Sequence, residues 1–358
     1  MLGVFLVAGL YPFNFVPNNE VRWRVAENGV RFDGYGQVYG QGPFSSSGSP
    51  TPVAFSIELL ISSHEGSKRS IESLFSIQNA YANHFAIERW TEDLVVAGWL
   101  RDARGRIFFD RLFCGHIFAT QAMRFVTVTT SPEGTSVYVE GVQQRRYPGL
   151  ELAPENFQGT LLLGQSSSGH QQWRGEIDGL AIYNGILTPE EVVENRHWWE
   201  TGQFDRLRTR AVETMIYAFN ERAGVVVHNH GNWGQDLEIP KKLHALHQVV
   251  LKVPNGRRFA NLSDIALNVL GFIPFCALLV IYLHGGGNYS KASAAAMSIL
   301  IGITISLSIE LLQVYLPSRD SSLLDLIMNA LGSVVGAMVG LTLSPHVIRN
   351  NAAVRNLH

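Results

Sequence analysis

Hydrophobic and polar positions follow two different patterns along the chain, and the pattern changes near residue 258. Before that point, short alternating or apolar runs recur between turn signals, which is typical of the strands of a sandwich or jelly roll. After it, the apolar runs are much longer and continuous. The predicted strands span residues 53–61, 94–100, 106–109, 125–130, 136–142, 160–163 and 179–183.

Three long apolar runs follow, at residues 265–283, 292–316 and 323–343. Each is long enough to cross a bilayer, which takes about 20 helical residues. The loop between the first two is short and rich in turn residues, so these two helices are predicted to be antiparallel neighbours. The predicted fold class is therefore an all-β jelly-roll sandwich joined to an α-helical transmembrane bundle.

Small residues in the last run predict close helix packing. Gly332, Gly336 and Gly340 recur every four residues, and such a spacing lets a second helix approach closely.

Near the end of the β-rich part, Thr188-Pro189 stands before Glu190-Glu191. This order predicts a helix start, because Thr is a favoured N-cap and Pro suits the first helical position.

Residues 1–13 are apolar but shorter than a membrane span, and they lack the basic start and cleavage site of a signal peptide. They are either part of a truncated first transmembrane helix, which we favour, or a short interfacial helix. The predicted domains are a first transmembrane helix at 1–15, the sandwich at 17–250, the transmembrane bundle at 259–345 and a tail at 346–358.

Composition adds little to this division. A chain of 358 residues with a net charge of −2 gives no sign of nucleic-acid binding. Cys114 lies in the β-rich part and Cys276 in an apolar run, so a disulfide framework is not expected.

Polar residues cluster around the turn between the last two apolar runs. Because residues three or four apart share one face of a helix, Glu310 lies beside Gln313 and Asp325 beside Asn329. Ionisable groups in a membrane usually face the interior of a bundle. If helix directions alternate, seven residues converge at one membrane face as a polar pocket: Asp264, Asn268, Glu310, Gln313, Arg319, Asp325 and Asn329.

This pocket has a structural alternative. Asp264 and Asp325 stand near helix starts, where an acidic residue complements the helix dipole. Capping does not explain Glu310, which has apolar neighbours on both sides. We therefore predict that Glu310 pairs with Arg319, the nearest cation in sequence, or binds a proton. Catalysis by Glu310 or Asp325 as an acid or base stays open.

The same residues resemble the VanZ-like family of small bacterial membrane proteins. The matching features are Glu310-x-x-Gln313, a Pro and an Arg after it, Asp325-x-x-x-Asn329-x-x-Gly332, and an upstream segment at 264–274 that repeats the Asp-x-x-x-Asn spacing. The resemblance covers residues 259–345 and the first fifteen. It implies about four membrane helices and a cell-envelope role. One member is linked to glycopeptide resistance, but the family implies no particular reaction.

The β-rich part resembles laminin-G-like and concanavalin A-like jelly rolls. The resemblance is carried by Ser136-Val-Tyr-Val-Glu-Gly-Val142, Leu161-Leu-Leu-Gly164 and the segment 173–191, and segments 219–224 and 236–240 look like further strands. It implies glycan or protein binding, and calcium in some members. Glycosidases generally need two cooperating carboxyl groups, and Glu58 has no second carboxylate two or four residues away in its strand.

Other candidate sites have two interpretations each. His228-Asn-His230 and His244-x-x-His247 are either metal ligands or surface histidines, and we favour surface histidines. Trp198-Trp199 either stacks on sugars or packs in the core, and we favour packing. Glu176 and Asp178 either support calcium or belong to a turn, and we favour the turn. No metal or other cofactor is expected, with calcium in the jelly roll as the open alternative.

The functional expectation is an integral protein of a bacterial inner or plasma membrane, with the jelly roll outside. The jelly roll would bind a glycan or envelope polymer, and the membrane pocket would hold a lipid-linked or amphipathic ligand. The expected partners are membrane lipids and a glycan, without nucleic acid. The alternatives are an intramembrane enzyme acting on a lipid-linked saccharide and a purely structural envelope tether.

Overall fold

The computed structural model describes residues 2–43, 54–64, 71–78, 83–102, 104–152, 154–166, 171–207, 213–243, 250–253, 262–285, 289–317, 319 and 321–355. The chain divides into two compact units. One consists of residues 16–247, and the other combines residues 1–15 with 248–358. Each unit is described by itself below.

The first unit is a β-sandwich of two antiparallel sheets. In the described residues, the first sheet has eight strands in the order β1-β2-β13-β4-β9-β10-β11, with β14 also paired to β13. Its strands are β1 Val21–Trp23, β2 Val30–Asp33, β4 Phe55–Ser63, β9 Arg124–Ser131, β10 Gly134–Val139, β11 Val142–Tyr147, β13 Arg174–Tyr183 and β14 Thr214–Tyr217.

The second sheet follows the order β15-β16-β3-β12-β5-β6-β7-β8. Its strands are β3 Val38–Pro43, β5 Ile71–Gln78, β6 Asn83–Trp90, β7 Asp93–Arg101, β8 Ile107–Cys114, β12 Thr160–Leu163, β15 Val226–Val227 and β16 Leu237–Glu238. Side chains that alternate along the strands of both sheets form one core, which includes Ile57, Phe75, Phe85 and Trp173.

The outer face of the first sheet is covered by the helix α2, Pro189–Glu200, and the short helix α3, Phe204–Leu207. The predicted start of α2 is confirmed. The Thr188 side chain accepts a hydrogen bond from the Glu191 backbone N–H, and the Glu191 side chain accepts one from the Thr188 backbone N–H. Gly179 lies under the Trp199 ring, where a Cβ atom would collide with it.

The predicted fold class is confirmed, with two local differences. The predicted strand at 136–142 is divided between β10 and β11, because the chain reverses at Glu140 and Gly141, both with positive φ. The segment 219–224 is not a strand, and this prediction was wrong. Phe219 and Arg222 adopt left-handed backbone conformations there, although Phe219 is fully buried.

The second unit is helical. It contains α1 Leu2–Leu10, α4 Leu262–Gly285, α5 Lys291–Gln313 and α6 Leu323–Arg355. Among the described residues, three segments are long and apolar enough to cross a membrane: Ile265–Gly285, Lys291–Gln313 and Leu323–Ser344. Helix α5 ends at Gln313, three residues before the predicted end at 316. The chain turns there because a residue that precedes a proline, here Pro317, disfavours the helical conformation.

Helices α4 and α6 pack closely and run parallel. A Cβ atom on Gly332, Gly336 or Gly340 would collide with the backbone of Val269, Ile273 or Ala277, respectively. The partner residue advances by four along α4 each time the glycine advances by four along α6. Both helices therefore begin at the same end of the unit. Helix α5 contacts both of them and runs in the opposite direction.

Candidate functional site

The buried carboxylate of Glu310 holds the turn that precedes α6. Glu310 lies in the last turn of α5 and is only 2% exposed. It accepts a hydrogen bond from the Ser322 backbone N–H at 2.6 Å and another from the Ser321 hydroxyl. Ser322 in turn caps α6, because its hydroxyl accepts the Asp325 backbone N–H at 3.3 Å. The carboxylate thus satisfies donors at a helix start.

A short segment before α4 pairs with this turn. The backbone N–H of Lys252 donates to the Ser321 carbonyl at 2.9 Å, and that of Leu323 donates to the Lys252 carbonyl at 3.2 Å. The Leu251 N–H donates to the Ser321 hydroxyl oxygen at 3.0 Å. Ser321 therefore links this connecting segment to the Glu310 carboxylate.

The predicted pairing of Glu310 with Arg319 was wrong. Arg319 is exposed, and its guanidinium donates to the carbonyls of Tyr11 and Ala8 at 3.4 and 3.5 Å. No ion pair joins the two side chains in the described part of the chain. The physical reason is that N–H and O–H donors of the turn already satisfy the carboxylate. Gln313 also contacts the first helix, through a 2.8 Å hydrogen bond to the Gly9 carbonyl.

Asn329 lies deeper in the bundle. Its side-chain amide donates to the Ser306 hydroxyl at 2.9 Å, and its backbone carbonyl accepts the Ser333 hydroxyl at 2.9 Å. Its Oδ1 atom is buried and has no hydrogen-bond partner. With Glu310, these side chains form a polar seam between α5 and α6.

The structure brings five of the seven predicted pocket residues to one region: Glu310, Gln313, Arg319, Asp325 and Asn329. Asn268 is half-buried on α4, and the side chain of Asp264 lies outside the described residues. The capping interpretation fits Asp325, which lies in the first turn of α6. Gln313 and Arg319 connect helices. A shared ligand pocket therefore stays a prediction.

A second candidate site lies on the outer face of the second sheet, the face directed away from the core. Because Ile87 and Val96 belong to the core, the alternating positions on either side of them point outward. One outward row crosses seven strands through paired residues, and its middle consists of small side chains. The row is Glu238, Tyr39, Leu162, Ser76, Ala86, Ala97 and Arg111.

Three polar atoms in or beside this row have no hydrogen-bond partner. The Glu88 Oε2, Gln78 Oε1 and Arg111 Nε atoms are buried without a hydrogen bond. Burial raises the pKa of Glu88 to about 7, with Arg111 opposing the shift. Unpartnered buried polar atoms are uncommon in folded proteins and cost about 1–3 kcal/mol each. Ser76, Ala86 and Ala97 beside them are at most 1% exposed, so the middle of this face is covered in the structure.

Two aromatic pairs stand on the same outer face. The rings of Trp90 and Phe113 are 5.4 Å apart, and those of Trp99 and Phe109 are 5.1 Å apart. Trp90 is 44% exposed and Phe113 is 38% exposed, whereas Glu88 is 2% exposed. The face therefore combines an accessible aromatic rim with buried polar atoms.

The sequence-based interpretation missed this face because its members come from separate strands. Glu88, Trp99 and Arg111 form no motif along the chain, and only strand pairing brings them together. One signal was available in the sequence. Glu88 and Arg111 each stand next to a core residue in an apolar strand, so their side chains are expected on the opposite face of the sheet. We call Gln78, Glu88, Trp90, Trp99, Phe109, Arg111 and Phe113 the outer-face cluster.

The acidic pair in β13 is engaged by an arginine. Asp178 accepts two hydrogen bonds from the Arg24 guanidinium at 2.6 and 2.5 Å, and Glu176 lies 3.6 Å from the same nitrogen. A calcium ion bound here would have to displace Arg24. No group of three or more His, Cys, Asp or Glu side chains that could hold a metal ion occurs among the described residues.

The histidine and tryptophan candidates make contacts within the protein. His228 is exposed and lies 3.0 Å from the Asp236 carboxylate, and 244–247 lie outside the described residues. Trp199 is buried, and its indole N–H donates to Glu58 at 3.0 Å. Tyr183 and Asn195 also donate to that carboxylate. Glu58 therefore anchors α2 to the first sheet, and Trp199 is a packing residue, as predicted.

Comparison with known families agrees with both resemblances. Residues 210–344 match the family model VanZ/LLP1, and residues 47–193 match the model Laminin_G_3, described as the concanavalin A-like lectin/glucanases superfamily. The VanZ match begins in the β-rich part, although residues 16–247 form one compact unit. The family boundary and the structural boundary therefore differ. None of the curated proteins matches this sequence.

Several solved structures are similar to the sandwich. The binding domain of botulinum neurotoxin DC in complex with SialylT has 14% identity and a TM-score of 0.38, covering 51% of this chain and 45% of that one. The binding domain of Paraclostridial Mosquitocidal Protein 1 has 13% identity and a TM-score of 0.38, with 51% and 47% covered. A SAP-like pentraxin from Limulus polyphemus has 14% identity and a TM-score of 0.34, with 48% and 82% covered. The chain thus spans less than half of the two toxin domains.

Proposed function

We propose that this chain, a concanavalin A-like sandwich joined to a VanZ-like membrane segment, is an integral protein of the bacterial inner or plasma membrane that binds a glycan or another envelope polymer. The outer-face cluster carries the proposal. Its exposed Trp90 and Phe113 rings offer apolar surfaces for sugar rings, and its buried polar atoms lack partners. Binding sites typically combine aromatic walls with a few placed polar groups.

The energetics favour a hydroxyl-rich ligand. Each unpartnered polar atom in the cluster costs stability in the unliganded protein. These atoms are buried, so the accessible part of the cluster is its aromatic rim, where Trp90 and Phe113 are 44% and 38% exposed. The rim rings give up water from apolar surface when a ligand stacks on them. A saccharide suits this rim, since each sugar ring has a less polar face that can stack and polar edges that stay in water.

Aromatic substitutions test the glycan-binding part. The full chain in nanodiscs is applied to a glycan array as wild type, Trp90→Ala and Phe113→Ala, with Trp198→Ala on α2 as the aromatic control. We expect bound saccharides to lose about tenfold or more in affinity with the first two variants, which corresponds to at least about 1.4 kcal/mol. The control should bind like wild type. Absence of binding to every saccharide would overturn this part of the proposal.

In the same proposal, the seam of Glu310, Ser306 and Asn329 receives the polar head of a lipid-linked or amphipathic ligand, with Asp264 and Asn268 at the same end of the bundle. The supporting observation is the buried Asn329 Oδ1 atom without a partner. A polar group held in a membrane is costly and commonly serves a function. Ser308 lies on the exposed side of α5 and provides a control position.

Mass spectrometry of lipids that copurify with the protein tests the membrane part. Glu310→Gln and Asn329→Leu should lose a lipid species that wild type and Ser308→Ala retain. Equal retention in all four would support the structural-tether alternative. Turnover of a lipid-linked saccharide by wild type but not by Glu310→Gln would support the enzyme alternative.

Growth with a glycopeptide antibiotic, with and without the gene, tests the resistance role implied by the VanZ resemblance.

A further inference from the structure

We infer that the edge of the sandwich formed by strands β8 and β11 binds a linear polymer in which phosphodiester groups alternate with alkyl units. This inference goes beyond the glycan binding proposed for the aromatic rim, because it concerns another surface and does not depend on that binding. The residues that carry it are Arg101, Arg104, Arg106, Phe108, Arg145 and Arg146. We call them the basic edge.

The basic edge lies where the two sheets end. Among the described strands, β8 ends the second sheet and β11 ends the first, so each has one side without a partner strand. The two strands lie beside each other, because the Tyr147 hydroxyl donates to the Asp110 carboxylate at 3.1 Å. Residues 104–108, in the hairpin between β7 and β8, are all exposed. Unlike the middle of the outer face, this edge is open to solvent.

Positive charge is concentrated at this edge. Residues 101–110 and 142–147 contain five arginines and two aspartates, whereas the whole chain has a net charge of −2. One aspartate, Asp102, pairs with Arg106 at 2.7 Å, and the other accepts the Tyr147 hydroxyl. The remaining arginines give the edge a positive potential, which attracts a negatively charged polymer.

Two of the arginines have no anion within this protein. The exposed side chains of Arg104 and Arg145 form no hydrogen bond or ion pair in the part of the chain that the structure describes. Arg101 donates to the Gly105 carbonyl at 3.2 Å, so its charge is not neutralised there. A guanidinium offers a rigid fork of donors that matches a phosphate group. Arginines on both terminal strands can therefore bind successive phosphate groups of one polymer.

Exposed apolar side chains beside the arginines favour a polymer with alkyl units. Ile107 is 60% exposed and Phe108 is 43% exposed. Alkyl units that pack on these side chains release water from apolar surface. A polymer covered with hydroxyl groups would gain less from this contact. The combination of arginines and apolar side chains therefore fits a polyol phosphate better than a polyuronate.

The position of the hairpin favours a polymer over lipid headgroups. The chain enters the sandwich at residues 17–19 and leaves it at 240–243, both beside the start of β3. Strand β7 runs parallel to β3, and Val96 lies in the same register row as Val38. Arg101 stands five residues further from that end, which is about 17 Å in an extended strand. The hairpin is therefore directed away from the two connections to the membrane segments.

Calorimetry on the full chain in phosphatidylcholine nanodiscs tests the inference. The probe is a glycerol phosphate oligomer, and the comparisons are an uncharged polyglycerol of equal length and a β-1,4-linked glucuronic acid oligomer. The variants are Arg104→Gln, Arg145→Gln, their combination and Phe108→Ser. The combination of Arg22→Gln and Lys241→Gln is the matched control, because both are exposed cations away from this edge. Thermal unfolding checks that each variant is folded.

We expect wild type to bind the glycerol phosphate oligomer and not the uncharged one. Its affinity should fall as salt rises from about 50 to 200 mM, because salt screens exposed charges. Each single arginine variant should lose about two- to fivefold in affinity and the combination about tenfold, which is the range of exposed ion pairs. Phe108→Ser should bind more weakly with the same salt dependence, and the control should bind like wild type. If a variant does not fold, the salt dependence of wild type and its preference for the charged oligomer decide.

Three results would overturn the inference. The first is equal binding of the charged and uncharged oligomers, or a double arginine variant that binds like the control. The second is binding of the glucuronic acid oligomer as tightly as the glycerol phosphate oligomer. The third is protection of residues 104–108 from hydrogen exchange in phosphatidylglycerol nanodiscs without polymer, which would indicate a lipid contact. Loss of saccharide binding by Trp90→Ala concerns the aromatic rim alone, so the two proposals fail separately.

Discussion

At the scale of single residues, Glu310 shows how a membrane-embedded carboxylate can be held without a cation. Its partners are a backbone N–H and a hydroxyl of the turn before α6. Two donors from one turn satisfy this buried carboxyl group without a cation, and the prediction that Glu310 binds a proton stays open. The nearby cation, Arg319, therefore remains available to contact the carbonyls at the end of α1.

Glu310→Ala should destabilise the helical unit by about 2–4 kcal/mol, because the Ser322 N–H and Ser321 hydroxyl lose a buried acceptor. Glu310→Gln should cost less, since its carbonyl oxygen can still accept. Thermal unfolding in detergent measures both effects, with Ser308→Ala as an exposed control on the same helix. Hydrogen exchange at the Ser322 amide should increase in the alanine variant. An alanine variant as stable as wild type would show that the turn does not depend on Glu310.

Glu88→Gln should remove a pH dependence of stability. The pKa of Glu88 is raised from 4.5 to about 7 in the folded protein. Its contribution is therefore fully present below pH about 4.5 and is lost as the pH rises through about 7. The loss at pH 8 is on the order of 3 kcal/mol at most.

Chemical unfolding of the sandwich at pH 5 and pH 8 measures this effect. Glu88→Gln should gain stability relative to wild type at pH 8 and differ little at pH 5. Glu133→Gln, at a highly exposed position of the β9–β10 hairpin, serves as the control and should show no such pH-dependent gain. A wild type whose stability relative to Glu88→Gln does not change with pH would contradict the raised pKa.

At the scale of elements, the parallel contact of α4 and α6 depends on glycine. Three glycines at four-residue spacing let the backbones approach until a Cβ atom would meet carbonyl groups of α4. Helix association in a membrane relies on such close packing because lipid tails already solvate apolar side chains. This contact brings the two Asp-x-x-x-Asn segments to the same end of the bundle.

Gly336→Val should separate α4 from α6, because its side chain would collide with the Ile273 backbone, which cannot rotate away. We expect a loss of about 1–3 kcal/mol in the unfolding free energy of the helical unit. Unfolding in detergent mixtures measures it. Gly285→Ala is the control, because an added Cβ atom there would meet no other part of the structure within 4 Å. Equal stability of the two variants would show that the close contact is not needed.

At the scale of the whole molecule, the sandwich has its own core and should fold alone. Residues 16–247 form one compact unit with a continuous hydrophobic core. A fragment of residues 17–250 should be soluble, with a β-type circular dichroism spectrum and a cooperative unfolding transition. The full chain should stay with membranes after carbonate washing and serves as the comparison. A mainly helical or aggregated fragment would contradict the independence of the sandwich.

The membrane orientation is a separate prediction. We expect the sandwich outside the cell membrane, because the lectin-like and VanZ-like resemblances both indicate envelope ligands. With the three candidate spans found in the described residues after the sandwich, a reporter fused after His358 should then be cytoplasmic. A second fusion after Lys242, in the sandwich, should give the opposite signal. Reversed signals would place the sandwich inside and exclude binding to an external polymer.

The sequence alone determined the division into a sandwich and a membrane bundle, because both depend on local hydrophobic periodicity. The start of α2 was equally predictable, since Thr188 and Glu191 form their capping bonds within four residues. The glycine spacing of α6 also predicted close packing, since helical periodicity places residues four apart on one face. Neighbouring residues along the chain carry all of this information.

Only the tertiary structure decided which groups meet across the chain. Glu310 was expected to pair with Arg319 because Arg319 is the nearest cation in the sequence. The geometry of the turn instead directs a backbone N–H and a hydroxyl group at the Glu310 carboxyl group. The outer-face cluster depends on the register of β5 to β8, which joins Glu88 and Arg111 across an intervening strand. Register is set by the packing of the whole core, because a shift of one residue would turn every side chain to the other face.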